Sequence, residues 1–202
     1  MTIELLNEDC MAVMARYPDK YFDLACVDPP YGIGVNSMNM GSRKTIRPDS
    51  RSWDDSVPPQ EYFTELQRVS KEQVIWGGNY FDLRPSRCFV VWDKGESMYG
   101  RDFAECELAW VSFDKSARIY KQNPNQLDRI HPTQKPVKLY EWLLTNYAKP
   151  GQRILDTHGG SMSIALACHN LGFDLTLCEL DNDYYDAGVN RYEQHIKQLK
   201  MF

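Results

Sequence analysis

Apolar and polar positions along this chain follow two rhythms, and each change of rhythm marks an element. Thr2 to Leu6 reads as a short strand, and Asn7-Glu8-Asp9 opens a helix-like turn that runs to Tyr17. Phe22 to Val27 is a nearly unbroken apolar run, the pattern of a buried strand. Pro59 to Lys71 carries Tyr62, Phe63, Leu66 and Val69 at helical spacing, with proline at its start. Gln73 to Trp76 is a strand halted by Gly77-Gly78-Asn79. Arg87 to Trp92 and Glu105 to Phe113 are rich in aromatic and β-branched residues and read as strands, with Ala117 to Tyr120 as a further candidate. Val137 to Tyr147 is an amphipathic helix ended by Lys149-Pro150-Gly151. Arg153 to Leu155 is a strand meeting Asp156, and Ser161 to Leu171 a helix closed by Gly172. Leu175 to Cys178 is a strand meeting Glu179, and Asn182 to Leu199 a final helix.

Alternation of this kind predicts an α/β fold with a mostly parallel twisted sheet and helices on both faces. Right-handed crossovers put Asp156 and Glu179 at one edge of that sheet, on successive strand ends. With Asp28 on a neighbouring strand, all three acids face one crevice, where open α/β sheets bind their ligands.

The 202 residues, 43% of them apolar, are enough for one sizeable core and are expected to form a single domain, 1–202. No run of about 18 apolar residues predicts a membrane span. The first residues, Met1-Thr2-Ile3-Glu4, lack the basic start of a signal peptide. Six widely spaced cysteines, with no C-x-x-C pair, predict neither disulfides nor a metal site and suit a reducing cytoplasm. A net charge of −5 argues mildly against a nucleic-acid partner, but the basic residues are unevenly spread. Between Ile33 and Ser52, Arg43, Lys44, Arg47 and Arg51 face the single acid Asp49. Residues 32–58 therefore read as a flexible basic loop beside DNA, or, on composition alone, as a solvated surface loop.

The chemistry concentrates at Asp28-Pro29-Pro30-Tyr31, where the strand Phe22 to Val27 ends. Prolines cannot donate to a sheet ladder, so the strand stops there with carbonyls to spare. Asp28 offers a carboxylate, Pro29 a fixed carbonyl and Tyr31 a ring, a set that fits a planar base bearing an amine. A tight exit turn is the plain alternative. Farther on, Asp156-Thr157-His158-Gly159-Gly160-Ser161 joins a strand to a helix by a glycine turn that lets a ligand approach the backbone closely. Glu179, one strand later, has the position of an acid that takes ribose hydroxyls. Neither G-x-G-x-x-G nor a phosphate loop is present, so the expected ligand has a ribose and no phosphate to cradle. S-adenosylmethionine has that description.

These residues together resemble amino-group DNA methyltransferases. Asp28 to Tyr31 matches their catalytic motif, and Leu155 to Ser161 with Glu179 resembles their cofactor site. His131-Pro132-Thr133-Gln134-Lys135-Pro136 is similar to the loop before the helix that precedes the cofactor motif. Catalytic motif first and cofactor motif last is the circularly permuted order of the beta group. Trp76 to Phe81 and Val91 to Gly95 resemble phage and prophage members. The resemblance implies a Rossmann-like S-adenosylmethionine-dependent methyltransferase fold, adenine-N6 methylation of DNA, a flipped-out target and a setting such as restriction-modification. It implies Thr133 and Lys135 at the carboxylate end of the cofactor. It also puts Asp9, with its neighbour Cys10, and Leu180 beside Glu179 at the adenosine, although Asp9 could equally cap a helix. His158 reads as structural within its turn. Cytosine N4, a protein or RNA amine, and a non-catalytic DNA-binding remnant are the rivals. Met162 stands where members carry glycine, so its side chain either crowds the cofactor tail or turns away. With little room between Phe113 and His131 for a recognition domain, a homodimer is the expected way to enlarge the DNA-facing surface.

Overall fold

The computed structural model describes residues 1–34, 54–101, 104–126 and 128–199. The basic residues Arg43, Lys44, Arg47 and Arg51 lie outside the described residues. The chain runs β1 (Ile3–Leu6), α1 (Cys10–Met14), β2 (Phe22–Val27), α2 (Gln60–Val69), β3 (Ser70–Trp76), β4 (Cys88–Asp93), β5 (Cys106–Val111), β6 (Arg118–Lys121), α3 (Val137–Tyr147), β7 (Arg153–Asp156), α4 (Ser163–Leu171), β8 (Asp174–Cys178) and α5 (Asn182–Leu199). A 3-10 turn, Glu96–Met98, follows β4, and no periodicity in the sequence predicts it.

The eight strands form one sheet in the order β1-β8-β7-β2-β3-β5-β4-β6. Every pairing is parallel except the two that β5 makes with β3 and β4. β7 and β2 lie side by side at the centre, and the chain winds outward from them in opposite directions, through α4 to β8 and through α2 to β3. Such a topological switch point opens a crevice beyond the carboxyl ends of the strands.

Strand alternation divides the core in two. Leu24, Cys26, Val74, Trp76 and Ile154 face α3 and α4. Ala25, Val27, Ile75, Trp110 and Leu155 face α1 and α2. Helix α2 buries Tyr62, Phe63, Leu66 and Val69 in one stripe, and α3 buries Leu139, Tyr140, Leu143, Leu144 and Tyr147, as an amphipathic helix on a sheet must.

Several boundaries differ from the sequence reading, and β3 already begins at Ser70, inside the helix expected to run to Lys71. Helix α1 ends at Met14, with Ala15 as its cap, rather than running to Tyr17. Helix α4 starts at Ser163 rather than Ser161, because Met162 sits in the left-handed region at φ 55° and ψ 28° and breaks the helical path. The turn between β7 and α4 thus spans residues 157–162. No helix among the described residues is long and apolar enough to cross a membrane.

Candidate active site

Beyond the end of β2, Pro29 is buried and Asp28 projects into the crevice with its side chain 19% exposed. The backbone N–H groups of Tyr31 and Gly32 both donate to Asp54 Oδ1, at 2.7 and 3.0 Å, which fixes the turn. Tyr31 donates its hydroxyl to Asp28 Oδ1 at 2.6 Å and stacks on Tyr80, with centroids 5.1 Å apart at 14°. The ring lies so close to Gly77 that a Cβ there would stand 2.2 Å from Tyr31 Cε1, and Gly77 has φ +69° besides. Two separate constraints demand glycine at the end of β3, and both serve the placement of Tyr31.

The remaining oxygen of Asp28 belongs to Lys135. Its Nζ is 2.5 Å from Asp28 Oδ2 and 3.0 Å from Glu107 Oε2, and its side chain is 1% exposed. Glu107 pairs through its other oxygen with Lys94 at 2.9 Å. Burial pushes the Asp28 carboxyl above the usual carboxylate range, with Lys135 pulling against it. Burial acts the same way on Glu107, but the two lysines outweigh it and hold the carboxyl at about 2.

A cavity of about 810 Å³ opens on the other side of Asp28. All twelve positions expected at the cofactor line it: Asp9, Cys10, Thr133, Lys135, Asp156, Thr157, His158, Gly159, Gly160, Ser161, Glu179 and Leu180. Their strand ends lie together because β1, β8 and β7 are parallel neighbours. Asp156 is 2% exposed, accepts the His158 backbone N–H at 3.1 Å, and is raised by burial to about 8. Glu179 accepts from the backbone N–H of Gly160 at 2.7 Å and of Asp181 at 2.9 Å, tying the glycine turn to the next strand. A Cβ on Gly159 would meet Leu177 at 2.4 Å. Asp9 does cap α1, accepting from Met11 and Ala12 at 2.9 and 3.0 Å, while lining the cavity. Burial keeps His158 neutral, lowering it to about 4, and Thr157 bridges its Nδ1 at 2.9 Å to the Tyr62 hydroxyl at 2.6 Å. The ring is thus part of the turn's scaffold. Met162 turns into the core, fully buried against Gly188 of α5, and the cavity lining passes from Ser161 to Ser163 without it.

A second cavity of about 420 Å³ lies on the far side of Asp28, lined among others by Pro29, Tyr31, Asn79, Tyr80, Trp92 and Glu107. The two cavities share Asp28, Pro30, Thr133, Gln134 and Lys135. Lys135 therefore stands at the seam between them, with its ammonium committed to two carboxylates.

Sequence reading missed Glu107, Lys94, Asp54 and Tyr80. Glu107 lies near the start of β5, and only the antiparallel direction of that strand brings its beginning to the edge where the other strands end. Arg191 of α5, 8% exposed, was also missed; it donates to the Ser161 carbonyl at 2.8 Å and to Asp128 at 2.7 Å. A basic residue flanked by Asn190 and Tyr192 in a largely polar helix gave no signal of burial.

The DNA methylase family model for N6 and N4 amino methyltransferases matches residues 74–190, which include the cofactor turn and the Lys135 loop. The putative methylase YubD of Escherichia coli K12 is 26% identical over 92% of this chain and 88% of its own length. The crystal structure of an M1.HpyAVI–SAM complex superposes with a TM-score of 0.64 at 18% identity, over 94% of this chain and all of that one. The cytosine-N4-specific PvuII DNA methyltransferase superposes equally well, with 0.64 at 13% identity over 98% and 91% of the two chains. Those structures share the fold, including its mostly parallel sheet. With the family model covering more than half of its length, this chain belongs to the N6/N4 DNA methylase family.

Proposed function

We propose that the chain methylates the N6 amine of a flipped-out adenine in DNA, with S-adenosylmethionine as donor. The observation that carries this reading is the meeting of two cavities at Asp28, one sized for a nucleoside-bearing cofactor and one flanked by the Tyr31 ring.

The larger cavity suits that cofactor chemically. Among the described residues, six acids line it, namely Glu8, Asp9, Asp28, Asp156, Glu179 and Asp181, and the one lysine there is already paired to carboxylates. Such a lining would repel a pyrophosphate and attract a sulfonium, and Glu179 and Asp9 offer acceptors to neutral hydroxyls and amines. Bound S-adenosylmethionine supplies an electrophilic methyl group.

The protein's own part is positioning. An exocyclic amine is a poor nucleophile because its lone pair is delocalised into the ring. Asp28 and the Pro29 carbonyl accept its two N–H bonds and draw the nitrogen toward tetrahedral geometry, which frees the lone pair for attack. Asp28 has capacity for this, since a carboxylate offers about four acceptor sites and Tyr31 and Lys135 occupy two of them. Extruding a base costs a few kcal/mol, and stacking on Tyr31 returns roughly 1–3 kcal/mol. The basic residues Arg43, Lys44, Arg47 and Arg51 belong to the DNA side of this proposal on charge alone.

The test is transfer of tritiated methyl to DNA, followed by nucleoside mass analysis. N6-methyladenine is the expected product, whereas N4-methylcytosine would move the target to the other base of the family's pair. Asp28→Ala is expected to reduce transfer by about 10³-fold or more while the cofactor Kd stays within about threefold. Transfer that survives this substitution would remove Asp28 from the catalytic role.

A further inference from the structure

We propose that Glu107 and Lys135 act as a charge-sharing pair that sets the hydrogen-bonding state of Asp28, which makes both of them positioning residues for methyl transfer rather than cofactor contacts. The inference rests on the reading of Asp28 as acceptor of the target amine.

Four elements converge to build the pair. Asp28 follows β2, Lys94 follows β4, Glu107 lies on β5, and Lys135 sits in the loop before α3. Their charges alternate in one row, Lys94–Glu107–Lys135–Asp28, with contacts of 2.9, 3.0 and 2.5 Å. The Lys135 ammonium lies 5.1 Å over the ring of the fully buried Trp76 and 3.3 Å from the Tyr31 hydroxyl, a setting that holds it in place. It makes an aligned hydrogen bond to Asp28 but only an ion-pair contact with Glu107, whose buried Oε2 has no aligned hydrogen-bond partner among the described residues. The ammonium is thus divided between two carboxylates.

Each member of the pair prevents a different failure. Without Lys135, burial and the neighbouring Glu107 would favour protonation of Asp28, and a carboxylic acid presents a donor where the amine needs an acceptor. Without Glu107, Lys135 would bind Asp28 alone and compete with the amine for Oδ2. The other groups near Asp28 do not replace either function. Asp156 of β7 is held protonated below about pH 8, and Tyr140 of α3 and Cys26 of β2 are kept neutral by burial.

The two substitutions should therefore move Asp28 in opposite directions. Carboxyl 13C NMR of the cofactor-free protein, assigned with Asp28→Asn, reads its titration directly. Lys135→Met is expected to raise the midpoint by about one pH unit or more, and Glu107→Gln to lower it by a similar amount. Lys135→Met should also shift the acid limb of kcat/KM upward while the S-adenosylmethionine Kd by calorimetry stays within about threefold. An unmoved Asp28 midpoint in Lys135→Met, or an upward shift in Glu107→Gln, overturns the proposal. So does a cofactor Kd weakened about tenfold in Lys135→Met with Asp28 unshifted, the behaviour of a cofactor clamp. If Lys135→Met does not fold, the sign of the Glu107→Gln shift decides alone. A wild-type protein without transfer activity would refute the proposed function yet leave the Asp28 titration readable.

Discussion

Met162 holds a left-handed backbone at φ 55°, which costs a non-glycine residue roughly 1–2 kcal/mol. Its side chain is fully buried, and removing a buried methionine costs about 2–5 kcal/mol, so packing outweighs strain and the residue stays. The room comes from Gly188, where a Cβ would lie 2.7 Å from Met162 Cγ and 2.9 Å from Sδ. A mid-helix glycine is otherwise unfavourable by about 1 kcal/mol against alanine. Gly188→Ala should therefore destabilise the protein by about 1–3 kcal/mol in urea unfolding, despite its better helix propensity. In a Met162→Gly background the same substitution should become neutral or stabilising, giving a double-mutant coupling on the order of 1 kcal/mol or more. Independent effects at the two sites would contradict this account. The sequence left two orientations open for Met162 because both obey local rules; a glycine 26 positions away chose between them.

Elements carry the site in two ways. Parallel strands deliver Asp28, Asp156 and Glu179 at their carboxyl ends, which the sequence made legible through apolar runs that stop at acids. The antiparallel β5 delivers Glu107 at its beginning, and no local pattern states a strand's direction. Helix α5 contributes at a distance through Arg191, which joins the Ser161 carbonyl and the Ser163 hydroxyl of the cofactor turn to Asp128 in the loop leading to Lys135. Arg191→Met leaves that buried carbonyl without its donor and should cost about 2–3 kcal/mol of stability. It should also weaken S-adenosylmethionine binding about tenfold, equivalent to about 1.4 kcal/mol, in calorimetry. Unchanged affinity would mean that the turn is held without α5.

At the scale of the molecule, burial of acids and histidines in one crevice makes stability depend on pH from both sides. Asp156 titrates at about 8 in the fold against 3.8 in the unfolded chain, so its contribution is complete at low pH and is lost as pH rises through 8. His131 and His158, held neutral by burial and lowered to about 3 and 4 from 6.5, act in the opposite sense. Their contribution is present above 6.5 and is lost as pH falls toward 4. Asp28 and Glu179, also raised by burial, act in the same sense as Asp156, so above 6.5, where these histidines no longer titrate, the buried acids set the slope. Tm of the cofactor-free protein should therefore decline above about pH 6.5, with Asp156→Asn flattening that decline. A wild-type Tm that climbs steadily from pH 6.5 to 9 would contradict this. The sequence alone determined the elements, the sheet edge at which its acids gather and the residues around the glycine turn, because hydrophobic period and strand-end chemistry are local properties. Tertiary structure alone decided the direction of β5, the burial of Arg191, the inward turn of Met162 and the sharing of Lys135 between Asp28 and Glu107. Each of those depends on what distant parts of the chain place beside the residue, and no window along the sequence contains that.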